Sequence, residues 1–172
     1  MKVPDGFLHP YFYSKGDLLE SHAFSLQDLL EFPFKYDIAY YLGAAPDRLP
    51  WENNNESIPF LLLIWKTNEN TLNFLHEKRD RTKTKATMIS SIAIYLQLLF
   101  WMNEQPVRSI NDWTRDSNLF KWKPVNIEER LDFVIKRPEL YHSFIQLQQL
   151  YSESTKLFYK KKALDMKINS SK

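Results

Sequence analysis

The histidines and carboxylates are the residues of this chain that could bind a metal. The four histidines are His9, His22, His76 and His142, and no two stand four residues apart, so the HExxH helix motif is absent. Glu139 and His142 form one ExxH pair, whereas a di-iron carboxylate site needs two such pairs. An alternative set, His22, His76 and His142, would have to converge from separate helices. We therefore expect no metal and no cofactor, and a metal-dependent enzyme in a helical bundle stands as a further alternative.

Other catalytic arrangements do not emerge from the residue types either. The chain has no cysteine, which excludes thiol nucleophiles, disulfides and cysteine metal sites. Its three glycines are too few for a dinucleotide-binding or Walker phosphate loop. The acidic clusters at 128–132 and 112–116 are accounted for by a helix start and an exposed connection. No nucleophile, base and orienting group can be named together, so we predict that the protein is not an enzyme.

Two basic patches are the strongest positive signal for a binding function. The first, within residues 78–85, is predicted to lie at a helix–helix junction, and the second, within 156–162, is interleaved with apolar and aromatic residues. Such cations can contact phosphates or an acidic partner, although cations near helix C-termini are also favoured by the helix dipole. The sequence leaves open whether the two patches share a face. Their members are Lys78, Arg79, Arg81, Lys83 and Lys85, and Lys156, Lys160, Lys161 and Lys162.

Three of the five tryptophans fall in predicted connections between helices. They are Trp51, Trp113 and Trp122. Large aromatic side chains in loops can be interface anchors. They can equally close the ends of a helical bundle, and the sequence favours that second interpretation.

Charge is distributed unevenly along the chain. Residues 1–60 carry four Lys/Arg and nine Asp/Glu, whereas residues 61–172 carry nineteen and twelve. We predict one helical domain over residues 1–165 with an extended N-terminal segment. Residues 166–172 are predicted to form a basic, mobile tail, because a polar chain end buries too little surface to offset its ordering entropy.

The periodicity of apolar residues predicts helices joined by short connections, with no strand. Residues 86–103 are uncharged and apolar on most sides, which is typical of a central helix surrounded by others rather than of a membrane span. We expect Ile92, Leu96, Leu99, Phe100 and Trp101 to be largely buried. The fold class is therefore all-α, a single compact bundle of six or seven helices around this helix. The predicted local features are a short helix over Lys15–Ala23, an N-cap at Ser25, a stop at Gly43, the central helix over Thr82–Glu104, an N-cap at Asn126, and a last helix from Pro138 to about Leu164.

Three segments give the chain a family resemblance. They are DIAYYLGAAPDRLPW from Asp37, PFLLLIWK from Pro59 and YLQLLFWMNEQPV from Tyr95. The sequence resembles the YpoC-like proteins of Bacillus-type bacteria over most of its length. The resemblance implies a small, mostly helical cytoplasmic bacterial protein, and it supplies no catalytic residue.

The leading functional prediction is a non-enzymatic protein-interaction module that binds another protein through an apolar groove or loop aromatics. The first alternative is a nucleic-acid-associated accessory protein that uses the patches at 78–85 and 156–162. A membrane partner is not expected, and the oligomeric state is left open. Salt-dependent DNA binding and metal content separate these functions.

Overall fold

The protein is an all-α bundle, as the sequence predicts. Its computed structural model describes residues 1–21 and 23–172. Within that part there is no strand, and only two isolated β-bridges occur in the N-terminal segment. No helix there is long and apolar enough to cross a membrane. The helices are α1 (Lys35–Tyr41), α2 (Asn54–Lys78), α3 (Arg81–Trp101), α4 (Trp113–Ser117), α5 (Ile127–Lys136) and α6 (Tyr141–Ser170).

Helix α3 is the centre of the core. Every residue from 91 to 102 is buried, because α2, α5 and α6 all pack on α3. The side chains predicted to be buried there, Ile92, Leu96, Leu99, Phe100 and Trp101, are fully enclosed. This confirms that a helix apolar on most sides lies inside a bundle.

Helices α2 and α3 form an antiparallel hairpin with a very tight turn. Arg79 takes a left-handed conformation at φ 55°, and its amide closes the last turn of α2. The Asp80 side chain accepts a hydrogen bond from the amide of Lys83 at 3.0 Å, which caps the start of α3. The first basic patch therefore surrounds a helix–helix junction, where the sequence predicts it.

Helix α6 runs alongside α3 in the same direction. The Tyr151 hydroxyl donates to the carbonyl of Ser91 at 2.7 Å, and the Tyr95 and Ser154 hydroxyls are 2.9 Å apart. The Tyr151 ring also stacks on Trp65 of α2, with centroids 4.1 Å apart. These buried contacts fix the register of α6, so its C-terminal half reaches the end of the bundle where α3 ends.

Several local expectations need correction. Residues 15–21 and 23 form no helix; Leu18 instead pairs with Lys2 in an isolated β-bridge. Asn126 does not cap α5 with its side chain, because it adopts a left-handed conformation at φ 55°. By contrast, Ser25 does form a capping box with Asp28, and Gly43 does follow the end of α1, at φ 68°.

The last helix differs from its predicted bounds at both ends. Helix α6 begins at Tyr141 rather than Pro138 and continues to Ser170 rather than ending near Leu164. Its extension is outside the core, since residues 163–172 are all exposed. Helix propensity and lysines near the C-terminal dipole carry the helix onward without tertiary burial. That residues 166–172 are mobile stays a prediction.

Candidate functional site

The two basic patches lie at opposite ends of the bundle. The first surrounds the start of α3, where all five of its basic side chains are exposed. The second reaches the end of α3, where Lys161 forms an ion pair with Glu104 at 2.7 Å. Helix α3 has 21 residues, which at 1.5 Å per residue gives a separation of about 30 Å. The patches therefore do not combine into one cationic surface.

The histidines are in unlike environments. His76 packs its ring against Phe144, with centroids 5.1 Å apart, and burial lowers its pKa below the ordinary value. His142 is exposed on α6, and His22 lies outside the described residues. Among the described residues, no group of three or more metal-ligating side chains is assembled. The absence of a bound metal stays a prediction.

The loop tryptophans pack into the bundle to different degrees. Trp51 and Trp113 are 4% and 5% exposed, so neither presents a surface for a partner in this structure. Their burial favours the interpretation that they close the bundle ends. Trp122 is half-buried and keeps part of its ring accessible. The Nζ of Lys121 lies 5.1 Å from the centre of that ring.

A cleft of about 440 Å³, which we call the loop cleft, opens beside Trp122. One wall is the connection between α4 and α5, including Leu119 and Phe120, and another is the segment that follows α3, including Glu104 and Arg108. The Asn103 side chain holds the backbone of Trp122. Its Nδ2 donates a hydrogen bond to the Trp122 carbonyl at 2.7 Å, and its Oδ1 accepts one from the Trp122 amide at 3.0 Å. The cleft is therefore built on a fixed loop.

A larger cleft of about 710 Å³, which we call the α6 cleft, is also lined by the segment that follows α3. The C-terminal half of α6 forms one wall, and the end of α1 with the start of α2 forms the opposite wall. Lys161 and Lys162 of the second basic patch line it, together with Arg108. Its wall includes Asp165 and Asn169, which only the extension of α6 supplies.

One buried carboxyl group, that of Asp37, belongs to α1 and bonds to the segment that follows α3, both of which contribute lining residues to the α6 cleft. The Asp37 Oδ1 accepts hydrogen bonds from the Trp101 indole at 3.0 Å and from the Val107 amide at 2.7 Å. Its Oδ2 is buried without a partner among the described residues. Removal from water, which outweighs these two hydrogen bonds, raises the pKa of Asp37 from 3.8 to about 7.

Sequence reasoning missed several residues that line the clefts. Arg108 is a single cation outside any basic run, and Leu119 is one of several apolar residues in the connection 118–126, with no periodicity to mark it as exposed. Asp37 lies on a short helix, and nothing in its neighbours signals a buried carboxylate. Exposed apolar residues and isolated charges have no periodic signature, so only the folded chain shows where they meet.

The chain is similar in sequence to a described protein family and to a bacterial protein. A family profile described as "YpoC-like protein" matches residues 55–166, which run from the first turn of α2 to within the last turns of α6. A protein of Bacillus subtilis (strain 168) described as "Uncharacterized protein YpoC" is 33% identical over 118 residues. That match covers 68% of this chain and 71% of the relative. No solved structure matches the chain.

Proposed function

The chain belongs to the YpoC-like protein family, and we propose that it is a non-enzymatic protein-interaction module that binds its partner at the loop cleft. The observation that carries the proposal is the exposure of Leu119, which lines this cleft and is 88% exposed. Apolar side chains this exposed gain most from burial against a partner, at about 25 cal/mol per Å² of surface removed from water. We further propose a cytoplasmic location, which the family resemblance implies.

The loop that carries Leu119 is supported from inside the bundle. Phe120 packs edge-on against the buried Phe100, with ring centroids 4.8 Å apart. Lys123 donates to the carbonyl of Ser117 at 3.0 Å and forms an ion pair with Glu128 at 2.9 Å. A loop fixed in this way loses little conformational entropy on binding, and preorganisation of this kind favours affinity.

The charges around the loop cleft indicate the chemistry of the partner. Arg108, Lys121 and Lys161 line the cleft together with Glu104 and Asp116. Because Lys161 is paired with Glu104, Arg108 and Lys121 are the cations left to meet a partner across the cleft. We expect the partner to present an apolar side chain to Leu119 and a carboxylate to Arg108.

The test is photo-crosslinking in cells from a photoreactive residue placed at position 119, with the same residue at position 63 as the matched control. Leu63 is also exposed, at 65%, but it lies on α2 away from the cleft. We expect one discrete crosslinked protein from position 119 and none from position 63. The partner is then purified, and Leu119→Ser should weaken its binding at least about tenfold, while Leu63→Ser leaves binding unchanged. Equal crosslinking from both positions, or equal affinities of the two variants, contradicts the proposal.

A further inference from the structure

The α6 cleft has the dimensions of a small-ligand site. Its volume of about 710 Å³ falls within the range typical of such sites, about 300–1,000 Å³. Three separate segments form it: the end of α1 with the start of α2, the segment after α3, and the C-terminal half of α6. It is distinct from the loop cleft, although both are lined by Arg108 and Lys161.

One wall of the cleft is aromatic. Tyr40 packs against Trp51 in an edge-on arrangement with centroids 5.1 Å apart, and Trp51 in turn contacts the buried Trp101. This support holds Tyr40 in place while 49% of the residue stays exposed. A supported aromatic ring at the edge of a cleft can stack on a flat heterocycle.

Three of the residues that line the cleft are cations, Arg108, Lys161 and Lys162. Lys161 forms ion pairs with two carboxylates, Glu104 at 2.7 Å and Asp165 at 3.4 Å. Arg108 and Lys162 form no ion pair with any described residue, so their charges are available to a ligand. The carboxylate lining the cleft that no described cation neutralises is Glu52. The lining therefore holds three cations and three carboxylates and has no net formal charge, with Arg108 and Lys162 as the cations that no carboxylate pairs with.

Amide groups line the space between these walls. Asn54 and Asn55, in the first turn of α2, line the cleft, and their backbone N–H groups donate no hydrogen bond within the described chain. The side-chain Oδ1 of Asn54 is buried and also lacks a partner there. Amides of this kind can bind phosphate oxygens or the polar edge of a base.

We propose that the α6 cleft binds a nucleotide, with its phosphate at Arg108 and Lys162 and its base against Tyr40. The aromatic and cationic groups correspond to the base and the phosphate of such a ligand, and the amide groups between them can bind its polar edges. A free nucleotide fits better than a nucleic-acid strand, because the cleft has the volume of one small ligand and the first basic patch is about 30 Å away. This inference goes beyond the proposed function; because Arg108 lines both clefts, the nucleotide and the partner would compete for its guanidinium.

The test is calorimetric titration of the full-length protein with AMP, GMP, CMP and UMP, and separately with the nucleosides and inorganic phosphate. We expect at least one nucleotide to bind with a Kd below about 100 µM, and its nucleoside and phosphate to bind at least about tenfold more weakly. Lys162→Ala and Tyr40→Ala should each weaken the nucleotide at least about fivefold. Both residues line the α6 cleft and not the loop cleft, so the variants leave the proposed partner site intact.

Lys160→Ala is the matched control, because Lys160 is an exposed neighbour on α6 that does not line the cleft. It should change the Kd less than about twofold. The inference is overturned if no nucleotide binds saturably up to about 5 mM, or if phosphate alone binds as tightly as the nucleotide. It is also overturned if Lys160→Ala weakens binding as much as Lys162→Ala, or if a single-stranded oligonucleotide binds more than about tenfold tighter than every mononucleotide.

Discussion

Asp37→Asn tests whether the buried carboxyl group makes the stability of this protein fall as the pH rises. Asp37 is 1% exposed, and only one of its two carboxyl oxygens has hydrogen-bond donors, from Trp101 and Val107. In the asparagine variant the side-chain oxygen can keep both donors. The group that replaces Oδ2 is an uncharged NH₂, so the side chain no longer titrates.

The magnitude follows from the raised pKa. One pKa unit corresponds to about 1.4 kcal/mol. The rise of the Asp37 pKa from 3.8 to about 7 therefore means that folding favours the protonated over the ionised carboxyl group by about 4 kcal/mol. Because the folded pKa lies above the unfolded one, the folded state binds more protons in the intervening range. The stabilisation is therefore fully present below pH 3.8 and lost as the pH rises through about 7. Between about pH 5 and pH 8 the loss is about 2–3 kcal/mol.

Two histidines act in the opposite sense over part of this range. Burial lowers the pKa values of His9 and His76, so their contribution to stability is lost as the pH falls below the ordinary value of 6.5. Both are present in the wild type and in the Asp37→Asn variant. The difference between the two proteins therefore isolates Asp37.

The assay is denaturant unfolding of both proteins at about pH 5, 6, 7 and 8. We expect the free energy of unfolding of the wild type, relative to the variant, to fall by about 2–3 kcal/mol from pH 5 to pH 8. The change of this difference with pH is the measured quantity, because at low pH the protonated carboxyl group of the wild type and the amide of the variant both carry a hydrogen-bond donor. A difference that is constant with pH, or that grows in favour of the wild type as the pH rises, would refute the reasoning.

Four further predictions address the core, the tail, metal content and nucleic acid. Leu99→Ala should lower the free energy of unfolding by about 2–5 kcal/mol, because Leu99 is fully enclosed and leaves a cavity; a near-neutral result in denaturant unfolding contradicts this. Truncation after Lys162 should leave the unfolding midpoint unchanged, since residues 163–172 are exposed, and a large drop would show that they stabilise the bundle. Elemental analysis should find no stoichiometric transition metal, and one zinc or iron per chain would reverse that expectation. Labelled DNA should bind only weakly at physiological salt. The nucleic-acid function would be favoured by a sub-micromolar complex that is lost when Lys160, Lys161 and Lys162 are neutralised, if the variant's affinity also depends less steeply on salt than that of the wild type.

The central helix shows how far the sequence alone reaches. A helix over residues 86–103 is apolar on nearly every side, so other elements must pack around it, whichever elements those are. The burial of Leu99 and Phe100 was predictable on that ground. Local chemistry was equally readable where a residue determines its own backbone geometry: Ser25 forms a capping box, and Gly43 adopts a left-handed conformation after α1.

Interactions between distant residues were not readable in this way. The sequence shows two basic patches, but the parallel alignment of α3 and α6 decided that they lie at opposite ends of the bundle. The extension of α6 to Ser170 likewise turned a segment expected to be a tail into a wall of the α6 cleft.

The composition and periodicity of this sequence determined an all-α bundle around one apolar helix, because burial of apolar surface depends on local pattern. Only the tertiary structure decided that Arg108 and Leu119 line the same cleft, and that Asp37 is enclosed with its carboxyl group against the Val107 amide. The physical reason is that a cleft or a buried charge is a property of side chains from distant segments. Their meeting depends on the register of whole helices, which no single segment specifies.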